Sequence, residues 1–387
     1  MIKRWALLAI AFIPLILLPG CWSRSELKDV NFALGLGVDR IPEGIRMTAQ
    51  FPIAARLSGA AGGAAGGGGA GGGGPATYIA TVEGATLRDA DHHLTEMLPG
   101  RAEWSHLQVT VIGEEQAREG LAPVLDFFLR EQTIRELTRL LVARGKASDI
   151  MKLTNPLEPL PPLGIDRSLK SLLQESMTSD SSLIGFVNVM GQPEIDGTLP
   201  SIEVSPGGVP RLGPLAVLKG DRLAGWLSDE ETLGVTVIRA RSPHLFVLLP
   251  CRQGGPPGAN VEVHSHESQI EIRTEGGRLM ASVDVKARGQ LVEDACLRDI
   301  MQPATRRSLE RLGAEQIRKN IEAAVRRSKD LRADIFGFGR ELYRHMPQEW
   351  TRRKDHWDEE LTRLPVRVKV QLTIDEGGVI NEPITPR

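Results

Sequence analysis

The residue best placed to do chemistry is Cys21, which closes the tetrapeptide Leu18-Pro19-Gly20-Cys21 and precedes Trp22. Leu-x-Gly-Cys is the pattern of the bacterial lipobox, in which the cysteine thiol is the nucleophile that takes a diacylglyceryl group. Gly20 is small enough to let an extended chain enter the signal peptidase, whereas Pro19 stands where Ser, Ala or Thr is more usual. The motif predicts cleavage between Gly20 and Cys21 and a lipid anchor, with acyl chains such as palmitate, on Cys21.

The residues before this motif have the layout of a secretory signal. Lys3 and Arg4 form a short positive region, and Trp5–Leu18 is an apolar stretch of about 14 residues. That stretch is short for the ~20 residues that a membrane-spanning helix requires. Two alternatives stay open: an uncleaved anchor, or an ordinary signal with an accidental cysteine. The favoured interpretation removes 1–20 as a lipoprotein signal peptide and holds the remainder against the outer face of a membrane.

The net charge of the chain excludes some classes of partner. The 387-residue chain carries a formal charge of −2, and loss of Lys3 and Arg4 with the signal leaves about −4. A near-neutral, mildly acidic protein lacks the basic surface that nucleic acid requires, so no nucleic acid partner is expected. Charge gives no reason for adhesion to anionic headgroups either. Membrane attachment is therefore expected through the diacylglyceryl anchor, at ~0.8 kcal/mol per buried methylene group.

Cys251 and Cys296 are the other two of the three cysteines. Outside the cytoplasm a disulfide between them is permissible. A chain this long does not depend on a covalent staple, however, so two buried free thiols are favoured. No Cys-x-x-Cys or His/Cys cluster has zinc spacing. We therefore expect neither a metal nor a cofactor.

Two histidine pairs are the remaining metal candidates, and neither is complete. His264 and His266 alternate along a predicted strand and so share a face, but they make half a zinc site without an obvious third ligand. A solvated strand face is favoured for them. His92 and His93 are adjacent in a predicted helix, where side chains point about 100° apart and cannot share a metal.

Ser105 and His106 resemble part of a hydrolase pair. Neighbours in a strand face opposite ways, however, and no Gly-x-Ser-x-Gly elbow supports them. Arg101 and Glu103, which lead into the same predicted strand, are interpreted as structural. An enzyme needs convergent acids, bases or nucleophiles. The sequence offers no such set, so it predicts no catalytic residues.

Two aromatic features near the end of the chain are interpreted as packing. Gly337-Phe338-Gly339 places two glycines around an aromatic residue, which suggests a tight backbone passage against the core. Trp350 and Trp357 would lie on one helical face two turns apart. A core or domain-contact stripe is favoured for the tryptophans, and a partner-binding face is the alternative.

Three consecutive α/β (mixed α+β) domains are predicted to position these residues, each a mixed or antiparallel sheet packed by helices. The N-terminal domain spans 21–200. In it the run 58–76, nearly all Gly and Ala, is a flexible loop, because a phosphate-binding loop would need a Lys-Ser or Lys-Thr and a following helix. Segment 183–189 could be helix or strand. The other predicted elements are strands at 31–38, 45–53, 78–82, 106–112 and 137–143 and helices at 83–98, 120–130, 146–153 and 169–176.

A small middle domain is predicted over 201–256. Its limits are two stretches rich in Pro and Gly, 193–213 and 250–258, which we interpret as boundaries. Between them, residues 215–227 have the pattern of a β-hairpin with a Gly-Asp turn.

The C-terminal domain spans 257–387 and contains the clearest pattern in the chain. Val366–Ile374 alternates strictly between apolar and polar residues, which is typical of a strand buried on one face. Residues 261–274 and 278–293 are predicted as two long strands, and 304–331 as an amphipathic helix. The simplest arrangement is a sheet with helices packed on one side.

Short motifs recur along the chain in a specific order. They are Gly20-Cys21-Trp22 with Glu26-Leu27, Gly35-Leu36-Gly37-Val38-Asp39, Gly100-Arg101 with Ser105-His106, Gly213-Pro214-Leu215-Ala216-Val217-Leu218-Lys219, Gly225-Trp226-Leu227 with Glu230-Glu231, Asp334 with Phe336-Gly337-Phe338-Gly339, and Pro347 with Trp350. Each motif is weak alone, whereas the ordered set is specific. It resembles the Ger(x)C family of spore germination lipoproteins, the C subunits of nutrient germinant receptors.

The resemblance implies a three-domain α/β protein acylated at Cys21. Such a protein would lie on the outer face of the cell membrane, and on the spore inner membrane in the dormant spore. It would act with a polytopic A subunit and a transporter-like B subunit in sensing nutrient germinants, without catalytic residues. The run 58–76 departs from the family pattern where a loop is expected, which affects loop length rather than fold.

Two other functions stay open on the sequence. One is a solitary extracytoplasmic solute-binding lipoprotein that delivers its ligand to a transporter. The other is an exported lipoprotein hydrolase that would use Ser105 and His106, or His264 and His266. The hydrolase is disfavoured because each pair is incomplete.

Overall fold

The computed structural model describes the chain in six ranges. They are 29–61, 75–175, 177–239, 244–252, 255–296 and 298–375. The predicted signal peptide 1–20, the lipidation site Cys21 and most of the Gly/Ala run 58–76 lie outside the described residues. Within these ranges, no helix is both long enough and apolar enough to cross a membrane.

The first part of the chain builds a large mixed sheet and a small one. Its strands are β1 (Val30–Phe32), β2 (Gly35–Ile41), β3 (Gly44–Pro52), β4 (Thr77–Gly84), β5 (Arg101–Glu103), β6 (Val109–Ile112), β7 (Arg139–Ala143), β8 (Thr198–Val204), β9 (Pro210–Lys219) and β10 (Arg222–Trp226). β1 pairs with β5, and the other eight lie in the order β10-β9-β8-β7-β6-β2-β3-β4. The central pairs β2–β6, β6–β7 and β7–β8 are parallel, and the outer pairs are antiparallel.

The eight-stranded sheet is buried on both faces. On β7, Leu140 and Val142 belong to one core and Leu141 and Ala143 to the other. Strands covered on both faces have nearly continuous apolar sequences, which is why 137–143 was predictable. The helices of this part are α1 (Ala54–Ala61), α2 (Leu87–Met97), α3 (Glu114–Glu119), α4 (Ala122–Arg130), α5 (Ala147–Met151), α6 (Pro161–Gln174) and α7 (Leu183–Met190).

The helices divide between the two faces of this sheet. Leu94 of α2 and Val124 of α4 pack into one core, whereas Ile150 of α5 and Leu169 of α6 pack into the other. The ambiguous segment 183–189 is helical and forms most of α7. The sheet with its helices is the mixed α/β arrangement that the sequence predicts.

A buried carboxylate fixes α5 against β2. Asp39 accepts hydrogen bonds from the backbone N–H groups of Ala147 (2.7 Å) and Ser148 (2.8 Å). A negative charge at a helix N-terminus satisfies donors that have no partner within the helix. This contact gives a physical reason for an acid at the end of the motif Gly35–Asp39.

The second sheet has four strands and buries one face. Val368 and Leu372 are buried, and Arg367 and Lys369 are exposed, which confirms the predicted alternation of Val366–Ile374. The strands lie in the order β11 (Leu245–Pro250), β12 (Pro257–Glu275), β13 (Arg278–Asp294) and β14 (Val366–Ile374).

Helices cover the buried face of the second sheet. Leu309, Ile317 and Ile321 of the long helix α9 pack into a core with Val283 and Val285 of β13. The predicted packing of helices on one side is therefore confirmed. The helices of this part are α8 (Asp229–Arg239), α9 (Pro303–Asp330), α10 (Phe338–His345), α11 (Pro347–Arg353) and α12 (Trp357–Arg363).

The segment 201–256, predicted as a small middle domain, supplies strands to both sheets. The Pro- and Gly-rich stretch 193–213 holds β8 and the start of β9. Pro200 lies inside β8, where the pairing with β9 shifts register between Pro200 and Ser201, and such an irregularity tolerates a residue without an N–H. Residues 215–227 form the predicted hairpin through β9 and β10. The division of the chain into domains stays a prediction.

Cys251 and Cys296 form a disulfide, so the expectation of two free thiols was wrong. The bond joins residues 45 positions apart, one after β11 and one after β13, with Cα atoms 5.6 Å apart. Gly258 packs against this bond, and a Cβ at that position would overlap the sulfur of Cys251. The two cysteines meet because β11 and β13 flank β12 in one sheet. Composition and chain length do not reveal this strand order.

Candidate functional site

A buried carboxylate, Asp334, organises one end of the second core. Its Oδ1 accepts hydrogen bonds from the N–H groups of Gly337 (2.8 Å) and Phe338 (3.0 Å). Its Oδ2 accepts from the N–H of Gly339 (2.7 Å) and the indole Nε1–H of Trp357 (3.1 Å). Burial raises the pKa of the Asp334 carboxyl, and these four donors oppose the rise. We call these five residues the Asp334 cluster.

The two glycines of the cluster are required by backbone geometry. Gly337 has φ of +77°, in the left-handed region that favours glycine, where the chain enters α10. A Cβ on Gly339 would lie 2.8 Å from both the carbonyl oxygen of Glu194 and Cζ3 of Trp350. The prediction that Gly337-Phe338-Gly339 is a tight backbone passage is confirmed.

Trp350 and Trp357 meet in the core by a different route from the predicted one. A 3₁₀ turn, Lys354–His356, separates α11 from α12, so the two residues do not share one straight helix. Their rings pack edge to face with centroids 5.4 Å apart, and both side chains are buried. The core role favoured by the sequence is therefore confirmed.

A second carboxylate, Asp196, joins the Asp334 cluster to the first sheet. Its Oδ2 accepts from the backbone N–H of Asp334 (2.8 Å), and its Oδ1 accepts from the N–H of Gly220 (3.0 Å) in the β9–β10 turn. The ammonium group of Lys219 contacts both Asp196 and Asp358. Loops of the two sheets are thus tied together through one side chain.

A cavity of about 710 Å³ lies near the same junction. Its walls come from the start of β7, the end of α6, the chain at 178–180, α7 and α8. Its charged and hydroxyl-bearing lining includes Arg139, Thr178, Asp180, Thr236 and Arg239. We call this space the junction cavity, because α7 packs on the first sheet and α8 lies in the core that joins β9 of that sheet to the second sheet.

Arg239, at the end of α8, connects the junction cavity to the Asp334 cluster. Its Nη1 donates to the carbonyl oxygen of Ile335 (3.2 Å). Burial and the like charge of Arg340 lower the pKa of the Arg239 guanidinium to about 10, although the negative charge of Asp334 raises it. The guanidinium is therefore a partly desolvated cation at the wall of a cavity.

Ser105 and His106 lie in a turn before β6, not in a strand as predicted. This places Ser105 Oγ 3.1 Å from His106 Nδ1, so the side chains do meet. The imidazole packs edge-on against the ring of Phe32, with centroids 4.5 Å apart. Arg101 and Glu103 lie in β5, which pairs with β1; their structural role stays a prediction.

One histidine of each pair contacts an oxygen atom of the protein. The register of β12 shifts between Val263 and Ser265, so His264 sits at an irregularity, and its Nε2 is 3.0 Å from Asp375 Oδ2. In α2, the His93 ring Nδ1 lies 2.7 Å from the carbonyl oxygen of Glu83. In the part of the chain that the structure describes, no cluster of three or more His, Cys, Asp or Glu residues could hold a metal.

Three residues of this region were not singled out from the sequence: Asp196, Thr178 and Arg239. Each has an ordinary sequence context, since Asp196 precedes a glycine in a loop and Arg239 ends a helix, where cations are common. Only the fold brings Asp196 and Arg239 beside the Asp334 cluster and Thr178 into the wall of the junction cavity. The sequence feature that could have revealed this region is Asp334, which lies three residues before Gly337. At that spacing a carboxylate can accept hydrogen bonds from the backbone of the following turn.

Comparison with known proteins gives the family. A model described as "Spore germination protein N-terminal domain" matches residues 23–204, and one described as "Spore germination B3/ GerAC like, C-terminal" matches 214–378. The two matches follow each other in order and together cover most of the chain. The protein belongs to the GerAC-like, or Ger(x)C, family of spore germination proteins.

Individual relatives are distant but extend over the whole length. The chain is 27% identical to YfkR of Bacillus subtilis (strain 168), covering 96% of each chain. It is 25% identical to spore germination protein KC of the same organism, over 99% of this chain and 98% of that one. The crystal structure of the GerBC protein matches with a TM-score of 0.55 at 19% identity, covering 90% of this chain and 99% of that one. At that identity the match shows the fold.

Proposed function

We propose that this protein is the lipid-anchored, non-enzymatic C subunit of a spore nutrient germinant receptor. It acts with membrane-embedded A and B subunits and is required for germination triggered by nutrients. A diacylglyceryl group on Cys21 holds it on the outer face of the membrane, which is the spore inner membrane in the dormant spore.

The ordered match of both family models over residues 23–378 is the observation that carries this proposal. The lipobox Leu18–Cys21 ends two positions before residue 23, where the matched region begins, which supports an anchor at the start of the mature chain. Two acyl chains are sufficient for stable anchoring without a membrane-spanning helix.

The non-enzymatic part of the proposal is supported by the surroundings of the best catalytic candidates. The His106 ring packs edge-on against Phe32, and among the described residues no carboxylate contacts it, whereas a Ser-His-Asp arrangement requires one. His264 pairs with Asp375 at the edge of the second sheet. The variant His106→Ala is therefore expected to leave germination unchanged in every nutrient tested.

The test of the receptor function is a Cys21→Ala variant expressed in place of the natural protein. We expect it to move from the membrane fraction to the soluble fraction or remain unprocessed, and nutrient-triggered germination to fall at least about tenfold. Sporulation and germination triggered by agents that bypass nutrient receptors should be unaffected.

Deletion of the gene provides the complementary test. A deletion strain that germinates normally with every nutrient, in a background without related receptors, contradicts the receptor function. A Cys21→Ala protein that stays in the membrane and is acylated elsewhere contradicts the lipid anchor on Cys21 but leaves the receptor function standing.

A further inference from the structure

The junction cavity lies where a ligand site is expected on general grounds. At about 710 Å³ it falls within the ~300–1,000 Å³ of small-molecule sites. Such sites occur preferentially between structural units, and this cavity lies between helix α7 of the first sheet and helix α8 of the second. Its lining mixes apolar side chains, such as Leu173 and Val235, with charged and hydroxyl groups.

The positive charge at one wall of the cavity is not neutralised by a contacting acid. Among the described residues, no carboxylate forms a salt bridge with Arg239, whose Nη1 donates to the uncharged carbonyl of Ile335. Asp334 is close enough to act on Arg239 electrostatically, but its two oxygens already accept four N–H donors. Arg340 adds a second positive charge nearby.

The other charged pair in the wall is internally balanced. Arg139 Nη1 lies 2.9 Å from Asp180 Oδ1, and its Nε lies 3.8 Å from Asp166 Oδ1. Asp180 also accepts from the backbone N–H and the hydroxyl of Ser182. Since this pair carries no surplus positive charge, the unmatched charge of the cavity is that of Arg239.

A hydroxyl in the same wall has no partner in the protein. Thr178 is 3% exposed, and its Oγ1 is buried without a hydrogen-bond partner. Leaving such a group unsatisfied costs free energy that a ligand oxygen would recover. Arg239, a cation without a contacting acid, and Thr178, whose hydroxyl has no partner, are therefore both residues that line one cavity.

We propose that the junction cavity binds a small organic carboxylate, with the carboxylate paired to Arg239 and the organic part against the apolar wall. A guanidinium binds a carboxylate through two parallel hydrogen bonds. The Thr178 hydroxyl, which is buried in the unliganded protein, would turn toward the cavity to reach a ligand oxygen. The site goes beyond the proposed receptor function and does not depend on it, because its test measures binding to the purified chain.

The experiment is titration calorimetry on the full acylated chain in detergent at neutral pH, with the detergent titration subtracted. The probes are 3-phenylpropionate and succinate, each compared with its primary amide, which has nearly the same shape without the charge. We expect at least one acid to bind and its amide to bind at least tenfold more weakly. Inorganic phosphate, an anion without an apolar part, should bind more weakly than that acid.

Three variants, with Arg222→Gln as their control, locate the site. Arg239→Gln should weaken binding of the acid at least tenfold, Arg239→Lys should weaken it less because the charge is kept, and the exposed Arg222→Gln should leave it unchanged. Thr178→Val, which has the same shape, should weaken binding threefold or more while the melting temperature stays equal or rises, because an unsatisfied hydroxyl is removed. This last variant keeps the test valid if Arg239→Gln fails to fold.

Four results would overturn the proposal: no binding of either acid at about 1 mM, which corresponds to about −4 kcal/mol; equal binding of acid and amide; tighter binding of phosphate; or unchanged binding in Thr178→Val and in a folded Arg239→Gln. None of them bears on whether the protein is a receptor subunit, which the Cys21→Ala and deletion strains test.

Discussion

Asp334 is a buried charge held by dipoles instead of a contacting cation. No described Lys, Arg or His forms a salt bridge with it, yet its oxygens accept three backbone N–H groups and one indole N–H. Hydrogen bonds to an ionised acceptor are about twice as strong as neutral ones. The motif around Phe336–Gly339 therefore serves to place donors around one carboxylate.

The first prediction concerns the charge of this residue. In Asp334→Asn an NH₂ group would face donors that now point at an oxygen, so we expect the free energy of unfolding to fall by about 2–4 kcal/mol. Chemical denaturation of the variant and the wild type measures the change. The exposed Asp355→Asn is the control and should stay within about 0.5 kcal/mol of the wild type. Equal stability of Asp334→Asn would show that the cluster does not stabilise the fold.

The second prediction concerns the close approach at Gly339. In Gly339→Ala the added Cβ would press on Trp350 and on the carbonyl of Glu194, and overpacking of this kind costs about 1–3 kcal/mol. Gly191, at the end of α7, is the matched control because a Cβ there would have its nearest neighbour 3.6 Å away. Gly191→Ala should be neutral or slightly stabilising. Melting curves that fall equally for both variants would refute the packing explanation.

At this scale the sequence indicated some roles and not others. The glycines and aromatic residues of Phe336–Gly339 predicted packing because both residue types have few uses in a buried turn. Arg239 and Thr178 gave no signal, since an arginine at a helix end and a threonine in a loop have many ordinary uses. Their importance comes from neighbours that are distant in the chain.

Among the elements, β14 and β8 show what a pattern can and cannot predict. β14 alternates apolar and polar residues because one face meets α9 and the other meets water. In β8 the residues are buried on both faces, so apolar and polar residues do not alternate. Pro200, beside a register shift, is also a residue type typical of linkers, so the segment was not predicted as a strand. Helix α7 was ambiguous for a similar reason, because nearly all of its residues are apolar.

The third prediction concerns the disulfide that ties β11 to the end of β13. Closing a loop between residues 45 positions apart restricts the unfolded chain, and bonds of this kind contribute about 2–4 kcal/mol. The double variant Cys251→Ser/Cys296→Ser should unfold at a lower temperature than the oxidised wild type. A reductant should lower the melting temperature of the wild type and leave that of the double variant unchanged. A wild type that does not respond to reductant under unfolding conditions would argue against the bond.

Across the whole molecule, the two sheets are joined by an apolar core that includes Leu215 and Val217 of β9, and by polar contacts near Asp196. This side chain accepts from Asp334, beside the second core, and from Gly220, in a turn of the first sheet. Lys219 adds a bridge to Asp358 in α12. These polar contacts act together with the shared apolar core to set the relative position of the two sheets, and with it the shape of the junction cavity.

The fourth prediction tests that coupling. Asp196→Ala leaves the N–H groups of Asp334 and Gly220 without their acceptor, and we expect a loss of about 1–3 kcal/mol. We further expect the calorimetric unfolding transition to broaden or to separate into two, one for each core. Asp355→Ala is the control and should keep the shape of the wild-type transition. An unchanged single transition in Asp196→Ala would show that other contacts couple the cores.

The position of β9 and β10 has a practical consequence for dividing the gene. The boundary between the two family matches, 204–214, covers the turn between β8 and β9 and the first half of β9, yet those strands are adjacent in one sheet. In a fragment that stops at residue 204, β8 would be an edge strand. Its backbone N–H and C=O groups that now pair with β9 would be unpaired, and such an edge promotes aggregation. A fragment that continues through Trp226 would carry its own closing hairpin and is the better choice for expression.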